Sequence, residues 1–271
     1  MVKGKLIGQG RTAEVFMWGE KHILKLYRKD VLNELIENEF KISRMAFEKK
    51  IATPYAQDIV EIEEKKGIVF ELVNGGTMMK FISLKPWYTK QKAHNLANLH
   101  YLIHKTKVVG IVDQKVMLKE SINATDLLTE DKKKNIVEYL ELLESGSYLC
   151  HGDFHPDNII MSKDKEIVID WMTGVMGNPL ADVARSCILL SISSLPENIT
   201  FMMKNMINFF RKRFYYDYIK QYLKISDTKM EEVERWMLPV AAARLIEWLP
   251  QSEKEQLLRI VDEELHKFAM V

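Results

Sequence analysis

The hydrophobic and polar pattern near the start of the chain gives three short β-prone stretches, Lys3 to Gln9, Thr12 to Gly19 and Lys21 to Tyr27. Gly-containing or Gly-Glu-Lys turns separate them, and short strands joined by such turns predict an antiparallel meander. Asp30 is placed to cap a helix from Val31 to about Phe47, in which Leu32, Leu35, Ile36, Ile42, Met45 and Ala46 recur near the helical period. Two more strands follow, about Ile59 to Glu63 and Gly67 to Val73, joined by a Lys-Lys-Gly turn. Asn74-Gly75-Gly76 then closes the strand-rich part. Beyond it the pattern predicts helices at about Lys90 to His104 and Glu130 to Glu144, a loop-and-strand segment from Tyr148 to Asp170, and helices to the end.

This is an α+β chain, and its 271 residues exceed the usual size of one core, so two lobes sharing a cleft are expected. The boundary falls at the glycines: residues 1–73 form the N-terminal lobe, 74–271 the helical C-terminal lobe, with a hinge at about 71–76. Lys plus Arg number 39 against 38 for Asp plus Glu, a net charge of +1, which excludes a global field for nucleic acid or an anionic membrane. Cys150 and Cys187 are too few for a disulfide framework or a cysteine-built zinc site. With no apolar run long enough to span a bilayer and no leader pattern over Met1 to Leu6, a cytoplasmic protein with small-molecule partners is expected.

The chemistry concentrates in His151-Gly152-Asp153-Phe154-His155-Pro156-Asp157-Asn158, followed by the apolar run Ile167-Val168-Ile169 that ends in Asp170-Trp171. A loop that offers a carboxylate and, five residues later, an amide can orient a hydroxyl with one and bind a hard cation with the other. Asp170 would meet Asn158 if the intervening strands form a hairpin around Ser162 to Lys165. Asn and Asp oxygens suit Mg²⁺, which takes its remaining ligands from water and phosphates. Glu39 lies three and four residues after Ile36 and Leu35, on the apolar face of the first helix, and needs a compensating charge there. Lys25, between Ile23 and Tyr27 on one strand face, can supply it, whereas Glu34 and Glu37 read as solvated charges.

The order His-Gly-Asp, Asn five after the Asp, then Ile-Asp-Trp resembles the aminoglycoside phosphotransferase and choline kinase superfamily, and Gly177-Asn178-Pro179-Leu180-Ala181-Asp182 resembles its later Gly-x-Pro-x-x-Asp segment. The resemblance implies a protein-kinase-like two-lobed fold with a five-stranded antiparallel N-lobe sheet, one helix, and a mainly helical C-lobe. It implies ATP or GTP as co-substrate, with Gly8 and Gly10 in a phosphate-covering turn where Ala13 replaces the third glycine. Lys25, paired with Glu39, would contact the α- and β-phosphates. Asp153 would be the catalytic base, and Asn158 and Asp170 the Mg²⁺ ligands. His151 would brace the loop and Asp182 support it, while Glu71 and Val73 occupy the place where a hinge offers backbone groups to a purine.

His155 and Asp157 read as loop-stabilising or exposed, Trp171 as packing, Met78 and Met79 as core or pocket wall, and His22, His94, His100, His104 and His266 as surface or helix-face residues. Three alternatives stay open. His151-x-Asp153-x-His155 with Asp157 and Asp170 has the ligand types of a metal hydrolase; a kinase fold can bind nucleotide without turnover; and the loop does not by itself exclude a protein acceptor. The expected acceptor is a hydroxylated small molecule. Arg211-Lys212-Arg213 and Lys220 against Asp217 give no encouragement to a polycation, while Glu231, Glu232, Glu234, Asp262, Glu263 and Glu264 could approach the acceptor from the last helices. Trp236, Trp248, Tyr215, Tyr216 and Tyr218 could line a pocket or belong to the core.

Overall fold

In the computed structural model, which describes residues 3–163, 165–192 and 200–269, the expected meander is β1 (Lys3–Gln9), β2 (Ala13–Trp18) and β3 (His22–Tyr27). After α1 (Asn33–Glu48), strands β4 (Ala56–Ile62) and β5 (Lys65–Glu71) complete an antiparallel five-stranded sheet of order β1-β2-β3-β5-β4. The register sets Lys25 across from Val15 and Ile68, and Leu24 across from Phe16 and Val69. Side chains therefore divide by parity. One face buries Ala13, Tyr27, Ala56, Ile68 and Phe70 against Ile36 and Met172, and the other buries Phe16, Leu24, Leu26 and Val69.

Three local expectations need correction. Asp30 does not cap α1: the N-cap is Leu32, extended and without a side-chain cap bond. Leu32 and Leu35 are exposed, and the buried stripe is Ile36, Glu39, Ile42, Ser43 and Ala46, because only that side of α1 meets β4 and β5. The β4–β5 turn is not Lys-Lys-Gly but Glu63-Glu64, both left-handed with φ of 51° and 60°, as a two-residue hairpin with the right twist demands.

The chain continues through β6 (Gly76–Thr77), α2 (Met78–Leu84), α3 (Thr89–His104), α4 (Gln114–Ala124), α5 (Glu130–Leu142), β7 (Tyr148–Cys150), β8 (Ile159–Ser162), β9 (Lys165–Val168), β10 (Val175–Gly177), α6 (Pro179–Ser191), α7 (Phe201–Ser226), α8 (Met230–Glu234), α9 (Met237–Ala243) and α10 (Gln251–Ala269). Of these, α2 and α4 were not expected. Helix starts follow cap chemistry: the side chains of Asp113, Thr129, Asn178 and Thr200 each accept a first-turn N–H, and Pro179 occupies the first turn of α6.

Contacts group the residues into two units, Met1–Ser83 with Pro156–Gly174, and Leu84–His155 with Val175–Val271. In the first, the small sheet β6-β8-β9 carries the β8–β9 hairpin. In the second, α3 packs along α7, α9 packs on α4, α6 and α10, and β7 pairs with β10. Of the two methionines opening α2, Met78 is fully buried and Met79 is 40% exposed, so only the first is core.

Candidate active site

In the first unit, the odd-numbered face of β3 turns Lys25 toward α1, where Glu39 stands in the buried stripe. The Lys25 ammonium lies 2.6 and 2.8 Å from the two Glu39 carboxylate oxygens and 2.8 Å from Asp170 Oδ1. The Tyr27 hydroxyl donates to Glu39 Oε2 at 2.7 Å. Burial opposes the charge of Lys25, but Glu39 and then Asp170 outweigh it and hold its pKa above the ordinary lysine value. One cation thus serves two carboxylates from elements far apart in sequence.

Asp170 follows β9, and the hairpin register brings the preceding residue to Asn158: the Ile169 N–H donates to the Asn158 carbonyl at 3.0 Å. Asp170 has φ of 68°, a left-handed backbone uncommon outside glycine, and its side chain is 38% exposed while Asn158 is buried. The turn is held from both sides. Asn38 of α1 donates to the carbonyls of Met172 and Gly174 at 3.2 and 3.1 Å, and the Trp171 indole N–H donates to Thr53 Oγ1 at 3.0 Å. Trp171 therefore packs, as expected, and also anchors by hydrogen bond.

Gly8 stands in β1 and Gly10 at the turn that follows, where its N–H donates to the Ala13 carbonyl at 2.8 Å. Glu71 ends β5; its N–H and that of Leu72 donate to the carbonyls of Tyr55 and Lys21 at 3.0 and 2.8 Å, which fixes the segment leading to Val73.

In the second unit, the loop after β7 is suspended from α6. The buried Asp182 carboxylate accepts the N–H groups of His151 and Gly152 at 2.5 and 2.9 Å, and Ser186 Oγ donates to the Phe154 carbonyl at 2.9 Å. Gly152 has φ of 76°, a left-handed backbone that glycine adopts without strain and that sets where Asp153 follows. The Asp153 N–H donates to His151 Nδ1 at 3.2 Å, so His151 braces the loop. The Asp153 side chain is 31% exposed; its Oδ2 lies 3.4 Å from His155 Nε2 and its Oδ1 3.9 Å from Arg185 Nη2. Burial raises its pKa, but His155, Arg185 and His151 outweigh that and hold it below the ordinary aspartate value. His155 is thus a partner of Asp153.

His100 and His104 are not surface residues. Both are buried on α3, and their Nε2 atoms lie 3.1 and 3.2 Å from Asp182 Oδ2 while their Nδ1 atoms lie 2.7 Å from the hydroxyls of Tyr218 and Tyr222. With Asp182 ionised, the His100 imidazole carries its proton on Nε2 and accepts the Tyr218 hydroxyl on Nδ1. Burial, then His104, push the His100 pKa down to about 3, so this imidazole is neutral near pH 7. Phe154 stacks on the His100 ring with centroids 4.1 Å apart. Sequence reading passed over this network, although two histidines four apart on an apolar helix face were a usable signal.

Among the described residues, His100, His104 and Asp182 are the one group of three such side chains with metal-ligating atoms within 4.8 Å of one another. Hydrogen bonds already account for those atoms, and the His151, Asp153 and His155 side chains do not form such a group among the described residues. Of the aromatics considered for a pocket, Trp236 and Tyr218 are core, while Tyr216 and Trp248 are exposed. In the basic run, Arg213 pairs with the buried Asp217 at 2.6 Å.

A family model described as Phosphotransferase enzyme family matches residues 3–228. No curated protein matches the chain in sequence. Among solved structures the chain is similar to aminoglycoside phosphotransferase APH(2'')-Ib bound to ADP, with 17% identity and a TM-score of 0.58 over 96% of this chain and 90% of that one. It is also similar to amicoumacin kinase hAmiN in complex with AMP-PNP, Ca²⁺ and Ami, with 13% identity and a TM-score of 0.62 over 96% and 87%. For choline kinase from Cryptosporidium parvum Iowa II the values are 14% and 0.56 over 98% and 90%. At these identities the likeness is one of fold, and it is the fold expected from the sequence: a five-stranded antiparallel sheet with one helix and a mainly helical remainder. No helix among the described residues is long and apolar enough to cross a membrane.

Proposed function

We propose that this chain, which belongs to the phosphotransferase enzyme family, is a small-molecule kinase that transfers the γ-phosphoryl group of ATP or GTP to a hydroxyl of a small acceptor. The observation that carries the reading is the Lys25 ammonium held at once by Glu39 and Asp170. A buried lysine charged in this way is a preformed cation for the α- and β-phosphates.

The end of β1 with Gly8 and the turn with Gly10 would cover the phosphates. A Cβ at either glycine would meet nothing nearer than 3.6 Å, so the fold itself does not demand glycine there, and the close approach of a phosphate gives it a purpose. Backbone groups of Glu71 and Val73 would meet the purine. In this reading residues 1–73 serve the nucleotide and 74–271 serve catalysis and the acceptor.

Asn158 and Asp170 fit Mg²⁺: both offer hard oxygen donors, the hairpin bond from Ile169 to Asn158 keeps them at one end of the strands, and the Asp170 carboxylate is partly exposed while its Oδ1 meets Lys25. Bound there, Mg²⁺ would offset the charge of the phosphate oxygens. Asp153 accepts the proton of the acceptor hydroxyl as the bond from that oxygen to Pγ forms and the bond from Pγ to the β-phosphate oxygen breaks, leaving the nucleoside diphosphate. A pKa below the ordinary value keeps Asp153 ionised, as an accepting group must be. The two buried free thiols, Cys150 and Cys187, suit a reducing cytoplasm.

The test is transfer of labelled γ-phosphate from ATP or GTP, with Mg²⁺, to a panel of sugars, amino alcohols and aminoglycosides. Label appearing on one acceptor class, and lost with Asp153→Asn, supports the reading; no transfer to any hydroxyl, with nucleotide bound, contradicts it.

A further inference from the structure

Helix α6 presents Asp182, Arg185 and Ser186 three and four positions apart, on one face. Asp182 and Ser186 hold the backbone of the loop, and the fold accounts for them. Arg185 does something else. Its guanidinium lies between two carboxylates and divides itself unequally, with Nη1 2.7 Å from Glu247 Oε1 and Nη2 3.9 Å from Asp153 Oδ1. Glu247 is fixed in turn by Arg244, whose Nε and Nη2 each stand 3.2 Å from Glu247 Oε2. Arg185 Nε is buried with no hydrogen-bond partner among the described residues.

A buried arginine beside a carboxylate ordinarily closes a short, often bidentate, pair on it. Such a pair on Asp153 would occupy the oxygens that have to accept a proton. Here the competing anion Glu247 draws the guanidinium away, and Arg185 leaves one N–H unused as a consequence. Arg185 instead stands 3.9 Å from one Asp153 oxygen, with His155 Nε2 at 3.4 Å from the other, an arrangement that orients the carboxylate.

We infer that Arg185, tethered by Glu247 and Arg244, is a positioning residue that fixes the direction of the Asp153 carboxylate toward the acceptor hydroxyl. The inference rests on Asp153 being the base. Orientation of this kind has large leverage, since a displacement of about 1 Å at a reacting group costs about 100-fold in rate. Glu247→Gln and Arg185→Met should both be slow for opposite reasons: the first releases Arg185 onto Asp153, and the second leaves Asp153 without its guide.

The experiment is steady-state consumption of MgATP, with water as acceptor, by the full chain and by Arg185→Met, Arg185→Lys, Glu247→Gln, Asp153→Asn and the double variant Asp153→Asn/Arg185→Met. Arg185→Met and Glu247→Gln are expected to lower kcat by about 10- to 100-fold with KM for ATP within about twofold. Arg185→Lys should recover part of the loss, and Arg185→Met should add less than about twofold once Asp153 is Asn. Losses that add in full in the double variant, or a kcat unchanged in Arg185→Met and Glu247→Gln, overturn the inference while leaving the base in place. No MgATP consumption by the wild type, or wild-type rates in Asp153→Asn, overturns the base and the inference together.

Discussion

Asp182 accepts the backbone N–H of His151 at 2.5 Å across 31 positions of sequence, and the same carboxylate takes the Gly152 N–H and the Nε2 protons of His100 and His104. Four donors converge on one buried anion. An amide in its place would turn an NH₂ group toward some of those donors and leave them unsatisfied, at about 1–3 kcal/mol each. Asp182→Asn should therefore destabilise the protein by about 3 kcal/mol or more, measured by urea unfolding, and lower turnover because the loop bearing Asp153 loses its suspension.

His100 makes this network sensitive to acid. Its pKa is about 3 in the folded chain against an ordinary 6.5, so below pH 6.5 the unfolded chain binds the proton that the folded chain refuses. Its contribution is complete above pH 6.5 and falls by about 1.4 kcal/mol per pH unit as pH drops from there toward 3. Urea midpoints at pH 7 and pH 5 should show the loss, and His100→Gln should be less stable at pH 7 but flatter with pH. An equally steep slope in the variant would contradict the assignment.

The Lys25–Glu39 pair allows stability and activity to be separated. Lys25→Met leaves a buried carboxylate without its cation and should cost about 3 kcal/mol or more, with loss of turnover. Adding Glu39→Gln removes the stranded charge and should restore most of the stability but none of the activity. Thermal melts and phosphoryl-transfer rates on the same three samples check this.

Gly152 carries a backbone requirement of its own. At φ of 76°, alanine is strained by about 1–2 kcal/mol, so Gly152→Ala should lower the melting temperature modestly and the rate by more, since any relief moves Asp153.

Much of the first unit was legible because each cue was local. Short β-prone stretches between turns gave the meander, and a lone acid on the buried stripe of α1 with a lone lysine on an inner strand face gave the Lys25–Glu39 pair. The spacing of Asp153, Asn158 and Asp170 survives as a loop followed by a hairpin. Where elements met depended on distant partners, and there reading failed. Leu35 fits the helical period but lies beyond what the sheet covers; Glu63-Glu64 carries none of the residues that announce a left-handed turn. His100 and His104 find Asp182 across 82 and 78 positions, and nothing near Arg185 in sequence announces Glu247.

Calorimetric titration of ATP and GTP, with and without Mg²⁺, into the wild type and Asp170→Ala tests the central claim most directly. We expect nucleotide to bind the wild type more tightly with Mg²⁺ than without it, and Asp170→Ala to lose that dependence while its fold, by circular dichroism, is retained. Binding that ignores Mg²⁺ in both proteins, or no nucleotide binding by the wild type, would contradict the kinase assignment.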